Sequence, residues 1–342
     1  MRYVTFRAKE AGQPARLGAV VGERVVDLPA LAAWAGQLPG GEQAPLPLTM
    51  MGLIQAGPPA WLASQQVLHR ALGEGWLEQP SAAGPLAWPL VQAKLLPPLP
   101  RPMSIRDFYA FESHVASARA ARGKDMPPVW YELPTFYFSN AHAAFGPEEE
   151  IRIPRYSQML DYELEVACVI GQGGRDIPVD RAGAFIFGYM VFNDWSARDR
   201  QRREMEIGLG PAKGKDFASS FGPAIVTPDE LEDRSTDRPG VYDLVMTARV
   251  NGQERSRGNW RDIHYSFGEM IAYASDEVFL LPGEVLGSGT VGSGSLLELT
   301  GGQGPWLQPG DVVELEIERL GILRNTIGAG RGPSGASGQQ AS

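Results

Sequence analysis

Glu163 and Glu165 stand two apart in LDYELEVACVIG, residues 160 to 171, a stretch otherwise rich in Leu, Val, Ala and Ile. The composition is that of a β-strand, in which residues two apart project to one face. The two carboxylates would then share a side, with Tyr162, Leu164 and Val166 on the other. Like charges held so close repel unless both face water, as on an edge strand, or unless a cation sits between them. Two more acids bear on the second alternative. Asp194 follows the apolar run AFIFGYMVF, where a buried strand would emerge into a cleft, and Asp107 in SIRDFYAFESH is flanked by apolar and aromatic residues. A hard cation such as Mg²⁺ or Ca²⁺ takes several oxygen ligands, mostly from Asp and Glu. Asp107, Glu163, Glu165 and Asp194 are therefore the candidate metal ligands.

The chain that must position them has 342 residues, 43% of them hydrophobic, so it can bury a substantial core and suggests two domains. Its net charge of -9 argues against nucleic-acid and anionic membrane surfaces as partners. MRYVTFRAKE has no apolar leader region, and the longest apolar run is far below the roughly 20 residues that span a bilayer. A soluble, cytoplasmic protein is the expectation. The single cysteine, Cys168, can form no internal disulfide and reads as core.

Short β-type segments (MRYVTFR, RLGAVVG, ERVVDL) and two helical stretches make a small N-terminal β-containing domain, residues 1–95. The proline clusters up to LLPPLPRP close it. Residues 96–328 are richer in strands, among them IRIP, YDLVMTARVNGQ and DVVELEIERLG, with a helix expected from about Ser266 to Ser275. Helices interrupt these strands without regular alternation, which predicts a strand-rich α+β fold. Residues 329–342 are small and polar and read as a disordered tail. GSGTVG at 287 to 292 matches a dinucleotide fingerprint, but the strand-like SGSLLELTGG that follows offers no long helix to receive a pyrophosphate.

From about residue 100 to 327 the sequence resembles the fumarylacetoacetate hydrolase family, through RDFYAFESH, DYELEVACVIG, FNDWSARDRQ, LGPAKGKDFASSFGP and GSGT followed by LLEL. The resemblance implies a mixed β-roll or sandwich catalytic domain. It also implies that Glu163, Glu165 and Asp194, with Asp107, hold a divalent metal, Mg²⁺ first, with Mn²⁺ or Ca²⁺ as alternatives. His114 would be the general base and Glu298 the acid that orients it. Lys215, Arg198 and Gln201 would hold substrate oxygens, and Tyr109, Tyr137 and Thr290 would touch substrate. The lysine stands one residue further from Asp194 than in the family pattern, and the chain is shorter than full-length fumarylacetoacetase.

Those roles suit the chemistry the resemblance implies, hydrolysis of a carbon–carbon bond in a 1,3-diketone or acylpyruvate such as fumarylacetoacetate. A dication on the substrate oxygens would stabilise an enolate. Lys215 and Arg198 would stabilise an oxyanion, and histidine has the pKa to take a proton from water. Of the four histidines, His69, His142 and His264 have no assigned role. Arg198 and Gln201, three apart, are neighbours if their charged segment is helical. The alternative is a decarboxylase, hydratase or isomerase of a related 2-oxo acid on the same metal site. The family also implies a homodimer, a small 2-oxo acid substrate and a place in aromatic amino acid catabolism.

Overall fold

The short apolar runs at the N-terminus form β1 (Arg2–Ala8), β2 (Arg16–Val21) and β3 (Arg24–Asp27). Asp27 ends the last of these and caps α1 (Leu28–Ala35), its carboxylate accepting the Ala30 N–H at 2.9 Å. Then follow α2 (Met50–Ala56), α3 (Pro58–Gly73), β4 (Ala87–Pro89) and β5 (Ala93–Leu95). The computed structural model describes residues 1–9, 14–38, 45–79, 84–120 and 123–330. The tail expected from residue 329 lies outside the described residues from residue 331 onward.

Beyond the proline-rich stretch come β6 (Ile105–Phe108), α4 (Glu112–Ala120), β7 (Phe136–Ser139), β8 (Ala144–Phe145), β9 (Glu150–Arg152), β10 (Leu160–Asp161) and β11 (Leu164–Ile170). The chain continues through β12 (Ile186–Asp194), β13 (Ser196–Ala197), α5 (Arg198–Ile207), β14 (Ser219–Val226), β15 (Val245–Val250) and β16 (Gln253–Asn259). It closes with α6 (Phe267–Ser275), β17 (Val285–Gly287), α7 (Leu296–Leu299), β18 (Val312–Ile317) and β19 (Gly321–Gly328). The helix expected near Ser266 is α6, and Ser266 is its cap, in a reciprocal capping box with Glu269. LLEL, expected to be strand-like, is instead the single helical turn α7. Ser295 and Asp161 accept N–H groups at its start and make the turn possible.

One large sheet has the order β4-β3-β2-β1-β14-β12-β11-β17-β6-β7, with β5 on β1 and β8 on β14. A second sheet, β16-β15-β18-β19-β9, packs on one face of it. The architecture is therefore the strand-rich α+β one that the sequence predicts. Leu164, Val166, Cys168 and Ile170 point into the core between the sheets. Ala167 and Val169 point the other way, into a core shared with α1, α2 and α3. With both faces covered, β11 reads as a nearly continuous apolar run, and Cys168 is core as expected. Among the described residues no helix is long and apolar enough to cross a membrane.

The large sheet passes across residue 95 without a break. Tyr3 on β1 registers with Ile225 on β14, its ring stacks on Phe187 at 5.3 Å, and its hydroxyl lies 2.7 Å from Ser64 Oγ. Removing residues 1–95 would therefore bare Phe187, Met190 and Phe192 on the rear of the sheet, each large apolar side chain worth roughly 1.5–3 kcal/mol when buried. A chain starting at residue 96 should aggregate or lose cooperative thermal unfolding, as read by circular dichroism. A soluble fragment with a sharp transition would show the two parts to be independent.

Candidate active site

Four neighbouring strands end at one place. β11 is antiparallel to β12 on one side and to β17 on the other; β6 lies parallel to β17, and β7 pairs antiparallel beyond it. The starting end of β11 thus meets the finishing ends of β12, β17 and β6. The solvated-edge alternative for Glu165 falls on this topology, because β11 is central and Glu165 is 0% exposed. By alternation Glu165 shares a face with Ala167, and its registered partner is Phe192, two residues before Asp194. Asp107 reaches the same face two strands away. Gly287, which registers with both Ala167 and Asp107, lies between.

Gly287 has a steric reason. A Cβ there would stand 2.4 Å from Asp107 Oδ1 and 2.7 Å from Phe192 Cε1, so a side chain would push the aspartate away. With glycine in place, Asp107, Glu165 and Asp194 each bring an oxygen within 4.8 Å of the others. The Gly289 N–H donates to Asp107 Oδ1 at 3.2 Å and to Glu165 Oε2 at 3.1 Å, and the Thr290 hydroxyl donates to Glu165 Oε1 at 3.3 Å. Tyr137, registered with Asp107 on β7, donates its hydroxyl to Asp194 Oδ2 at 2.5 Å.

Glu163 lies elsewhere than the strand alternation suggests. It sits in the break between β10 and β11, where its N–H donates to the Asn193 side chain at 3.0 Å and the ladder stops. Its carboxylate contacts Lys215 Nζ and approaches Arg198 Nη1 at 2.8 Å. Lys215 also contacts Asp194 and so bridges the two acids. The loop before it is held by Glu204 of α5, whose carboxylate accepts the N–H groups of Ala212, Lys213 and Gly214 at 2.8–3.0 Å. Arg198 opens α5, and its Nη1 donates to Gln201 Oε1 at 3.1 Å, the helical neighbour relation expected.

Arg198 Nε donates to Asp161 Oδ2 at 2.8 Å. Sequence reasoning passed over this acid, although it alternates with Glu163 and Glu165 in the same stretch. Asp161 is 0% exposed and also accepts the Leu296 and Leu297 N–H groups at 2.8 and 3.0 Å, anchoring α7. That turn carries Glu298, whose Oε2 lies 2.7 Å from His114 Nδ1, although the approach is not aligned for a straight hydrogen bond. Ser293 N–H and Ser295 Oγ–H hold Glu298, each at 3.1 Å. His114 belongs to α4, is 3% exposed, and meets the Tyr109 ring edge-on at 5.4 Å. Of the site residues expected from the sequence, all but Glu298 and Asp194 line one cavity of about 360 Å³. His69 and His142 are exposed elsewhere, and His264 packs on Trp130 at 4.8 Å.

Burial and mutual repulsion decide which acids keep their protons. Burial raises the carboxyl pKa of Asp107 and Glu165 well above the ordinary range, and the neighbouring carboxylates add to it. Asp194 is raised as well, by burial first and Glu163 next, against the pull of Lys215. For Glu163 burial acts upward too, but Lys215 and Arg198 outweigh it and hold the group ionised, well below the usual range. Those acids keep Lys215 and Arg198 protonated in spite of their own burial. A three-acid cluster that resists ionising, with Asp194 Oδ1 lacking any hydrogen-bond partner, is an all-oxygen donor set suited to a hard divalent cation.

Mg²⁺ or Mn²⁺ should accordingly raise the melting temperature by several degrees. A ligand at about a hundred times its Kd adds about 2.7 kcal/mol. Glu165→Gln and Gly287→Ala should each lose most of that rise in a thermal shift measured with and without chelator. An equal rise in both variants would place the cation elsewhere.

The region that carries this site, residues 104–328, matches the family model for the C-terminal part of fumarylacetoacetate (FAA) hydrolase. A 2,4-didehydro-3-deoxy-L-rhamnonate hydrolase from a Sphingomonas species is 32% identical over 57% of this chain and 65% of its own. The mitochondrial oxaloacetate tautomerase of Rattus norvegicus is 28% identical over 96% of this chain and 91% of its own. The crystal structure of maleylpyruvate hydrolase from Sphingobium, in complex with manganese(II) and pyruvate, shares the fold, with a TM-score of 0.67. It is 23% identical and covers 97% of this chain and 100% of its own. The named relatives are enzymes, hydrolases and tautomerases among them. With its match running from β6 to β19, the chain belongs to the fumarylacetoacetate hydrolase family.

Proposed function

We propose that the protein hydrolyses a carbon–carbon bond in an acylpyruvate or related 1,3-diketo acid, with a divalent metal bound at Asp107, Glu165 and Asp194. The observation that carries this reading is the buried His114–Glu298 pair, 2.7 Å apart, with the histidine facing the same cavity as the acids. When bound, the metal supplies Lewis acidity to the substrate's oxygens. Glu163 completes the charged wall, held ionised by Lys215 and Arg198, and joins the ligand set in the family reading. Mg²⁺ is the proposed metal, with Mn²⁺ next.

The protein's own groups then divide the work. Glu298 faces Nδ1, which leaves His114 Nε2 to take a proton from water as the water attacks the acyl carbonyl. Glu298 stabilises the imidazolium that results. Lys215, Arg198 and Gln201 offer donors to the substrate's oxygens and to the oxyanion, with Tyr109, Tyr137 and Thr290 shaping the pocket around them. The acyl–carbon bond breaks to give a carboxylic acid and the enolate of the other fragment, and the enolate takes up a proton at carbon. The partner proposed for assembly is a second copy of the chain, supported by the unpaired edge at β7, where Phe138 is 62% exposed.

A second reading keeps the site and drops the water. It is favoured by the likeness to the rat oxaloacetate tautomerase along 96% of the chain. Tautomerisation only moves a proton between carbon and oxygen, so a water-activating dyad is not required. Wild-type protein with Mg²⁺ or Mn²⁺ should hydrolyse acylpyruvates faster than it tautomerises oxaloacetate. His114→Ala should lose about 10²–10⁴-fold in kcat. Glu298→Gln should also be slow, and the double variant little slower than either single, because groups acting as one unit are not additive. Hydrolysis untouched in His114→Ala would favour the tautomerase.

A further inference from the structure

The cavity is divided along its depth. α5 forms one wall, and its cavity-facing residues Arg198, Gln201 and Met205, followed by Leu209, run outward from the charged end. At about 1.5 Å per residue, Met205 stands about 10 Å beyond Arg198. Exposure rises along the same line, from 4% at Arg198 to 40% at Met205 and 93% at Leu209. The facing walls change character as well. On α4, Ala118 follows His114 by one turn, and Phe136, Pro211 and Leu297 also line the cavity. Charged side chains are thus confined to the deep end, and the outer lining is apolar apart from Thr135.

The cations are already engaged. Among the described residues lining the cavity, Arg198 and Lys215 are the only lysine or arginine side chains. Arg198 lies against Asp161 and Glu163, and Lys215 against Glu163 and Asp194, all at the deep end. Of the other α5 cations, Arg200 lies over the Tyr156 ring at 4.9 Å and Arg202 reaches within 4.0 Å of where a Gly302 Cβ would stand; neither lines the cavity. A second carboxylate at the far end of a substrate would find no lining cation there, whereas an apolar chain would take Met205 and Leu209 out of water.

We propose that the acyl group of the substrate is an uncharged, apolar chain extending past Met205 to Leu209, not a dicarboxylic chain of the fumaryl or maleyl kind. The proposal rests on the acylpyruvate reading above and names the substrate class within it. Leu209 stands between Gly208 and Gly210, at φ +83° and +111°, conformations that glycine adopts freely. The chain covers this otherwise solvent-facing leucine, and the pyruvyl end stays with the acids.

The test compares acetylpyruvate, hexanoylpyruvate and maleylpyruvate with Mn²⁺, by kcat/KM on wild type and by calorimetric Kd on His114→Ala. Hexanoylpyruvate should exceed both others by at least about 10-fold, since even single methylenes in an apolar pocket are worth that much. Met205→Lys, at an exposed rim position, should shift the preference toward maleylpyruvate by a similar factor. Equal or better use of maleylpyruvate by the wild type would overturn the proposal. Hexanoylpyruvate binding tightest with no cleavage of any compound would sustain it while removing the hydrolase reading. Absence of binding by all three would overturn both.

Discussion

Carboxylates enter a protein interior only in company. Here Asp107, Asp161, Glu163, Glu165 and Asp194 are all at most 5% exposed, and among the described residues the buried cations in contact with them are Arg198 and Lys215. Two positive charges cannot neutralise five acids, and the imbalance is spatially sorted. Arg198 and Lys215 serve Asp161, Glu163 and one side of Asp194, while Asp107 and Glu165 face one another and Asp194 with only the Gly289 N–H and the Thr290 hydroxyl as donors. Such an arrangement costs folding energy, because desolvated like charges are among the least favourable contacts a core can hold. The sheet tolerates it because most of the other residues on these strand segments are apolar and buried, with Arg106 and Asn193 as exceptions.

That cost also explains the local backbone. Gly287 and Gly289 stand where the strands finish because the acids need the room and the N–H groups. The break between β10 and β11 frees Glu163 from the ladder, so that it meets the lysine and arginine instead of stacking on Glu165. Three acids at alternate positions therefore acquire three tasks. Asp161 holds Arg198 and α7, Glu163 takes the cations, and Glu165 joins the oxygen cluster.

Much of this was legible in the sequence, and the reasons differ by residue. Acids in strongly apolar segments announce themselves, so Asp107, Glu165 and Asp194 could be grouped before any geometry was known. The Ser266 helix was legible because its cap and capping-box glutamate are local signals. The break at Glu163 was not, because it depends on an asparagine on a neighbouring strand. The turn at Leu296–Leu299 was missed because it is stabilised by Asp161, far away in the chain, and four residues carry no periodicity to read. Asp161 is silent in the sequence because its partners, Arg198 and the Leu296 and Leu297 N–H groups, lie far along the chain.

The dual grip of Asp161 has a mechanical consequence. One carboxylate holds the guanidinium at the head of α5 and the first N–H groups of the turn bearing Glu298. Both elements contribute to the cavity lining, and they share this one carboxylate. Any substrate that draws Arg198 toward itself strains the same anchor that sets the histidine's carboxylate partner. A pull on the guanidinium would thus be felt at the carboxylate beside His114.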